Sequence, residues 1–202
     1  MTSDWTNLSV QRLAGAHDPL EYIVQRAREL ALDAMAAGWS GPPFDPLSLA
    51  GHLGMRVVPR DGLTDARLIS DEQGFVVEYN PLRPRGRLRY SIAHEIAHAL
   101  FPDAGERPRH RTSTGAVGGD GADDDWQVEL LCNVAAAELL MPNFAVPFEQ
   151  IDGAALDMNL LMDLRGRFDV STEAFLRRVV AGTAHDVVCL ATSRVRARVG
   201  TM

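Results

Sequence analysis

The stretch RYSIAHEIAHALFPD, residues 89–103, contains His94-Glu95-Ile96-Ala97-His98, and its reading decides most of the rest. The chain has six histidines, and two of them stand four apart with a carboxylate between them, inside an apolar run. On a helix, residues i and i+4 lie one turn apart on the same face. His94 and His98 can therefore turn both imidazoles toward one ion. Glu95 sits beside that face, where it can reach a water without binding the ion itself. These are the mechanics of His-Glu-x-x-His: two zinc ligands and a general base for a metal-activated water. The bland alternative is a core helix with three incidental polar residues. Ile92, Ala93, Ile96, Ala97, Ala99 and Leu100 are all small or apolar, so that helix is expected to be buried. Burying two histidines and a glutamate without partners costs on the order of several kcal/mol. A metal ion removes that cost.

A catalytic zinc takes three protein ligands and keeps one position open. No Gly-x-x-His follows the motif, which argues against the metzincin pattern. His110, in the polar segment that comes next, is one candidate for the third ligand. Glu129, on the following apolar helix, is the better one: Val128, Leu130, Leu131, Val134 and Ala135 surround it in sequence. A carboxylate pointing into such surroundings needs a cation, whether a metal or an arginine. One turn later, Asn133 can hydrogen-bond the ligand set. Cys132 can approach the ion as a thiolate, or serve as a small buried side chain. Tyr90, one turn before His94, can donate a hydrogen bond to a tetrahedral intermediate or pack as an aromatic. Glu138 reads as an ordinary exposed carboxylate.

Outward from the motif, the pattern is mixed. Residues 1–17 show no clear period and are expected to form a loose N-terminal arm, leaving 18–202 as a single domain. Asp18-Pro19 can cap and open a helix whose apolar residues recur at three and four through Met35. "GWSGPPFDP" (38–46) ends it, and "LSLAGHLG" forms a short helix capped by Asp45. "MRVVP" (55–59), "ARLIS" (66–70) and "GFVVEYN" (74–80) are short, rich in β-branched and aromatic residues, and bounded by turns, so they predict three strands. A helix from about Arg87 carries the motif and stops at Pro102. Residues 103–124 hold almost no hydrophobics and predict a flexible loop bordering the site. A long helix starts at Asp125 and ends at Pro142. Helical stretches follow near 143–151, 154–166 and 171–181, then an apolar strand, "DVVCLAT" (186–192). The fold class expected is α+β: helices with a small three-stranded sheet packed on the His-Glu-x-x-His helix.

Hydrophobic residues make up 46% and charged residues 23%, the balance of a globular domain rather than a disordered or fibrous chain. With a net charge of −7, a nucleic-acid partner held through phosphates is not the default expectation. The basic clusters "RPRGRLR" (83–89) and "RPRHR" (107–111) read first as solvated surface. "RFDVSTEAFLRRV" imitates a DNA-recognition turn but reads better as a packing helix. The N-terminus has no basic start followed by an apolar core, so no signal peptide is expected. No apolar run approaches the roughly 20 residues that span a bilayer. Two cysteines are too few for a disulfide framework. A cytoplasmic location follows as the expectation.

"RLRYSIAHEIAHALF" followed by "CNVAAAELLMP" resembles the ImmA/IrrE metallopeptidases of bacteria and phages. Their second motif helix matches here at Glu129, Cys132, Asn133, Ala135, Leu139, Leu140, Met141 and Pro142. Val134 stands where the family often has an aromatic. The likeness extends over about residues 45–182. It implies one zinc per chain held by His94, His98 and Glu129, with Glu95 as the base. It also implies an endopeptidase acting on a helix-turn-helix repressor, whose loss releases mobile-element, stress or immunity genes. The rival from another class is a zinc-stabilised regulatory module, or a toxin–antitoxin component, that sequesters its partner without cutting it.

Overall fold

The computed structural model describes residues 5–105, 124–153, 157–184 and 186. Helix α2 (Pro19–Ala36) begins where Asp18 accepts a hydrogen bond from the Glu21 amide at 3.0 Å, with Pro19 in its first turn. Its buried stripe is Ile23, Ala27, Ala31 and Ala34. Three alanines on one stripe let α2 lie close against the helix that carries Glu129. Asp45 caps the short α3 (Pro46–His52) in the same way, through the Ser48 amide.

The sheet has the order β1-β3-β2, with β1 (Arg56–Pro59) parallel and β2 (Ala66–Asp71) antiparallel to the central β3 (Gly74–Tyr79). In register, Leu68 faces Val77 and both are buried. Helix α4 (Arg85–His98) packs on β2 and β3 on one side and on α5 (Asp125–Leu140) on another. It is covered on all sides: Ser91 through His98 are buried without a break. Helices α6 (Phe148–Gly153), α7 (Met158–Phe168) and α8 (Thr172–Gly182) complete the described elements. One hydrophobic cluster gathers residues from Val10 to Val179. The architecture is α+β, as expected.

The N-terminal segment is not a loose arm along its described length. Leu8–Ala14 forms α1, capped by the Asn7 side chain, with Val10, Leu13 and Ala14 buried. A helix of two turns carries too few apolar positions to display a period, which is why the pattern escaped reading. Asn7 and Thr6 also hydrogen-bond Asp124 and Gln127, while Ser9 donates to Asp103 at 2.5 Å. The segment thus holds residues on both sides of 106–123. Most of the expected loop 103–124, His110, "RPRHR" and the strand 186–192 fall outside the described residues, apart from the termini of the loop and Asp186.

Glu138 is fully buried rather than exposed, because Arg28 (3.2 Å), Arg178 and the Asn143 amide (3.0 Å) converge on it from three directions. The arginines of 83–89 are matched internally. Arg83 and Arg87 bind Asp65, Arg85 binds Asp169 at 2.6 Å, and buried Arg89 donates to the Phe44 carbonyl at 2.8 Å. Helix α8 buries Phe175 and Val179, and its Arg177 and Arg178 pair with Glu173 and Glu138. It is a packing helix, as expected.

Candidate metal centre

Helical spacing places His94 and His98 one turn apart on α4, ring centroids 4.9 Å from each other and nearly perpendicular. Helix α5 crosses this face and brings Glu129 to both rings. His94 Nε2 lies 3.2 Å from Glu129 Oε2, and His98 Nε2 lies 3.3 Å from Oε1. These three residues form the group of metal-ligating type among the described residues. Their spacing matters: donors each about 2.0–2.1 Å from a tetrahedral cation stand roughly 3.3–3.4 Å apart. Both imidazoles are buried, while the Glu129 side chain is 36% exposed, so the cluster opens to solvent on that one side.

Glu95 is buried beside the histidines, and its two oxygens differ. Oε2 accepts a hydrogen bond from the Leu68 amide of β2 at 2.8 Å. Oε1 is buried with no partner among the described residues, and so are both ring nitrogens of His94. Native cores rarely leave such atoms bare. The His94–Glu129 approach is therefore proximity without the alignment of a hydrogen bond, as expected of two lone pairs aimed at a common point. Donor types, spacing and unmet polar atoms together fit a small divalent cation.

The electrostatics separate the two carboxylates. Burial pushes the Glu95 carboxyl above its ordinary value, and His98, His94 and the Leu68 amide only partly offset this. Burial also works to raise Glu129, but its contacts with His94 and His98 win and hold it far below the usual carboxylate range. One group is tuned toward holding a proton, the other toward staying an anion.

The remaining singled-out residues lie around the cluster. Tyr90 donates its hydroxyl to Asn133 Oδ1 at 2.6 Å, linking α4 to α5. Cys132 Sγ lies 3.3 Å from His98 Nδ1, the ring nitrogen that faces away from Glu129. A groove of about 690 Å³ runs between α5 and α8, lined by Tyr90, Leu130, Asn133 and Val134 on one side and by Ala174 and Arg177 on the other; none of the three ligand-type residues lines it. The Leu68 amide was missed from sequence. A backbone donor carries no residue signature, and only the β2–α4 contact reveals it.

Residues 50–180 match the family model described as Peptidase_M78, the IrrE N-terminal-like domain. The chain belongs to the M78 family. That match contains β1 to β3, the motif helix α4 and Glu129, and leaves α1 and α2 outside it. No curated protein matches the chain. Among solved structures, a Mycobacterium tuberculosis transcriptional regulator is similar with a TM-score of 0.50 and 16% identity. The alignment covers 78% of this chain and 46% of that one, so the M78 chain spans less than half the regulator's length. At that identity the likeness concerns the fold. Among the described residues, no helix is long and apolar enough to cross a membrane.

Proposed function

We propose that the chain is an intracellular zinc endopeptidase that cuts a helix-turn-helix transcriptional repressor and thereby releases the genes it silences. The observation that carries this reading is the half-satisfied Glu95 beside three convergent donors. A site built only to brace the fold has no use for a buried carboxylate with a bare oxygen. His94, His98 and Glu129 hold the ion, and zinc suits two imidazoles with one carboxylate. Bound there, it supplies Lewis acidity that polarises a peptide carbonyl and acidifies a water.

The rest falls to the chain's own groups. The Leu68 amide holds Glu95 Oε2 and leaves Oε1 free to take the water's proton. The same oxygen can then pass the proton to the leaving amine. Glu129, held anionic, remains a ligand throughout. The groove between α5 and α8, which Tyr90 and Asn133 line, lies within the 300–1,000 Å³ range of ligand sites. M78 membership supports the peptidase class. That the similar solved structure is a transcriptional regulator is in keeping with a regulatory setting.

The test is incubation of the zinc-loaded protein with the product of the neighbouring gene, where that gene encodes a helix-turn-helix regulator, products read by mass. Wild type should yield two fragments. Glu95→Gln, which keeps shape and ligands, should lose about 10²–10⁴-fold in rate. A variant that frees the regulator's DNA as well as wild type does would sink the peptidase reading in favour of sequestration.

A further inference from the structure

The two histidines of the centre differ in how their far nitrogens are held. His94 Nδ1 is buried with no partner among the described residues, whereas His98 Nδ1 lies 3.3 Å from Cys132 Sγ. Cys132 and Glu129 sit at i+3 and i on α5, so they share a face of that helix. Their side chains reach opposite edges of one ring: Glu129 Oε1 is 3.3 Å from Nε2, and the sulfur is 3.3 Å from Nδ1. Independently of this contact, Nε2 of His94 and Oε1 of Glu95 are buried with no hydrogen-bond partner among the described residues.

We propose that Cys132 is a positioning residue for the metal centre. It fixes the plane of His98, so that Nε2 stays turned toward Glu129. A histidine that offers Nε2 to a cation carries its proton on Nδ1. The contact is then an Nδ1–H donated to sulfur. Carboxylates and carbonyls commonly fill this role. A thiol is a weak, neutral acceptor. It orients the ring without adding a further negative charge beside Glu129. His94, with no such partner on Nδ1, is held by burial and by the neighbouring rings of Tyr90 and His98. Cys132 is fully buried, which keeps this thiol a packed contact rather than an exposed reactive group. The proposal rests on the ligand set of the peptidase reading.

Zinc affinity of the full-length protein, measured by competition with a chromophoric chelator, tests it. The visible absorption of the cobalt-substituted protein reports ligand geometry. Cys132→Ala should weaken zinc binding by about 10–100-fold, the usual effect of losing an outer partner of a ligand, and should alter the cobalt spectrum. Cys132→Ser, which keeps an acceptor, should recover most of the affinity. Ile151→Val, a buried change on α6, which carries none of the ligand-type residues, should bind zinc as wild type does. Cys132→Ala binding zinc as tightly as wild type overturns the proposal. So does a serine variant no better than alanine, or an equal loss in Ile151→Val. In those cases the peptidase reading stands. A wild-type protein that holds no zinc overturns both.

Discussion

Two glutamates are buried in the same core and are treated in opposite ways. Glu138, on α5, meets Arg28, Arg178 and the Asn143 amide, and neither of its oxygens lacks a partner. Glu95, on α4, has one oxygen on the Leu68 amide and the other bare. Each lies within the apolar cluster, where an unmet carboxylate is costly. Saturation ties α2, α5 and α8 together through Glu138, and that is a structural device. Incompleteness at Glu95 leaves capacity for a water and a proton. Buried polarity alone does not mark a site, whereas unfilled hydrogen-bonding capacity beside convergent donors does.

The sharpest way to break this contrast is at the ligands. Glu129→Ala should lose zinc altogether at stoichiometric loading, an effect larger than the 10–100-fold ascribed to outer-shell partners. Elemental analysis of protein purified without added metal checks it. A full zinc complement in that variant would remove Glu129 from the centre. Next in size comes the stability contrast. Glu138→Ala strands Arg178, a buried-pair break that typically costs about 3–5 kcal/mol, and Arg28's 41% exposure sets the expectation at the lower end. Glu95→Gln should leave the urea midpoint of the metal-free protein nearly unchanged. Equal losses in the two variants would erase the distinction.

The same logic extends to the N-terminus. Asn7 is a buried polar side chain whose oxygen caps α1 and whose amide reaches Asp124. Asn7→Ala should lower stability by about 0.5–2 kcal/mol, the usual cap effect, and leave zinc content intact. Thermal melts with and without chelator separate the two outcomes. The smallest effect concerns Glu78, buried on β3 between Arg60 (2.5 Å) and Arg67 (2.6 Å). Burial works to raise its carboxyl, but the two guanidiniums outweigh that and hold it below the ordinary value. A folded value lower than the unfolded one means its stabilisation is present above about pH 4.3. It fades as the pH falls through the folded value. Arg60 is largely in solvent, so the gain is on the order of 1 kcal/mol or less. Urea midpoints at pH 6 and pH 3.5 should converge for wild type and Glu78→Gln at the acid end. A constant gap between them would refute the assignment.

Much of this centre was legible before any coordinates. His-Glu-x-x-His within an apolar run places two imidazoles on one helical face, because 3.6 residues per turn leave no other arrangement. Capping at Asp18 and Asp45 and the short β-branched strands are local too, and each follows from a few neighbouring residues. Glu129 could be ranked above His110 by its apolar surroundings, but no periodicity places it against α4.

What only the tertiary structure decided lies between elements far apart in the chain. Leu68 meets Glu95 across 27 residues, Cys132 meets His98 across 34, and Arg28 meets Glu138 across 110. Glu138 looked like a solvated carboxylate because its partners come from α2 and α8, and α1 looked shapeless because its core lies in other helices. Backbone periodicity is set within one turn and shows in a window of residues. The saturation of a buried polar group depends on which distant segment the path of the chain brings against it.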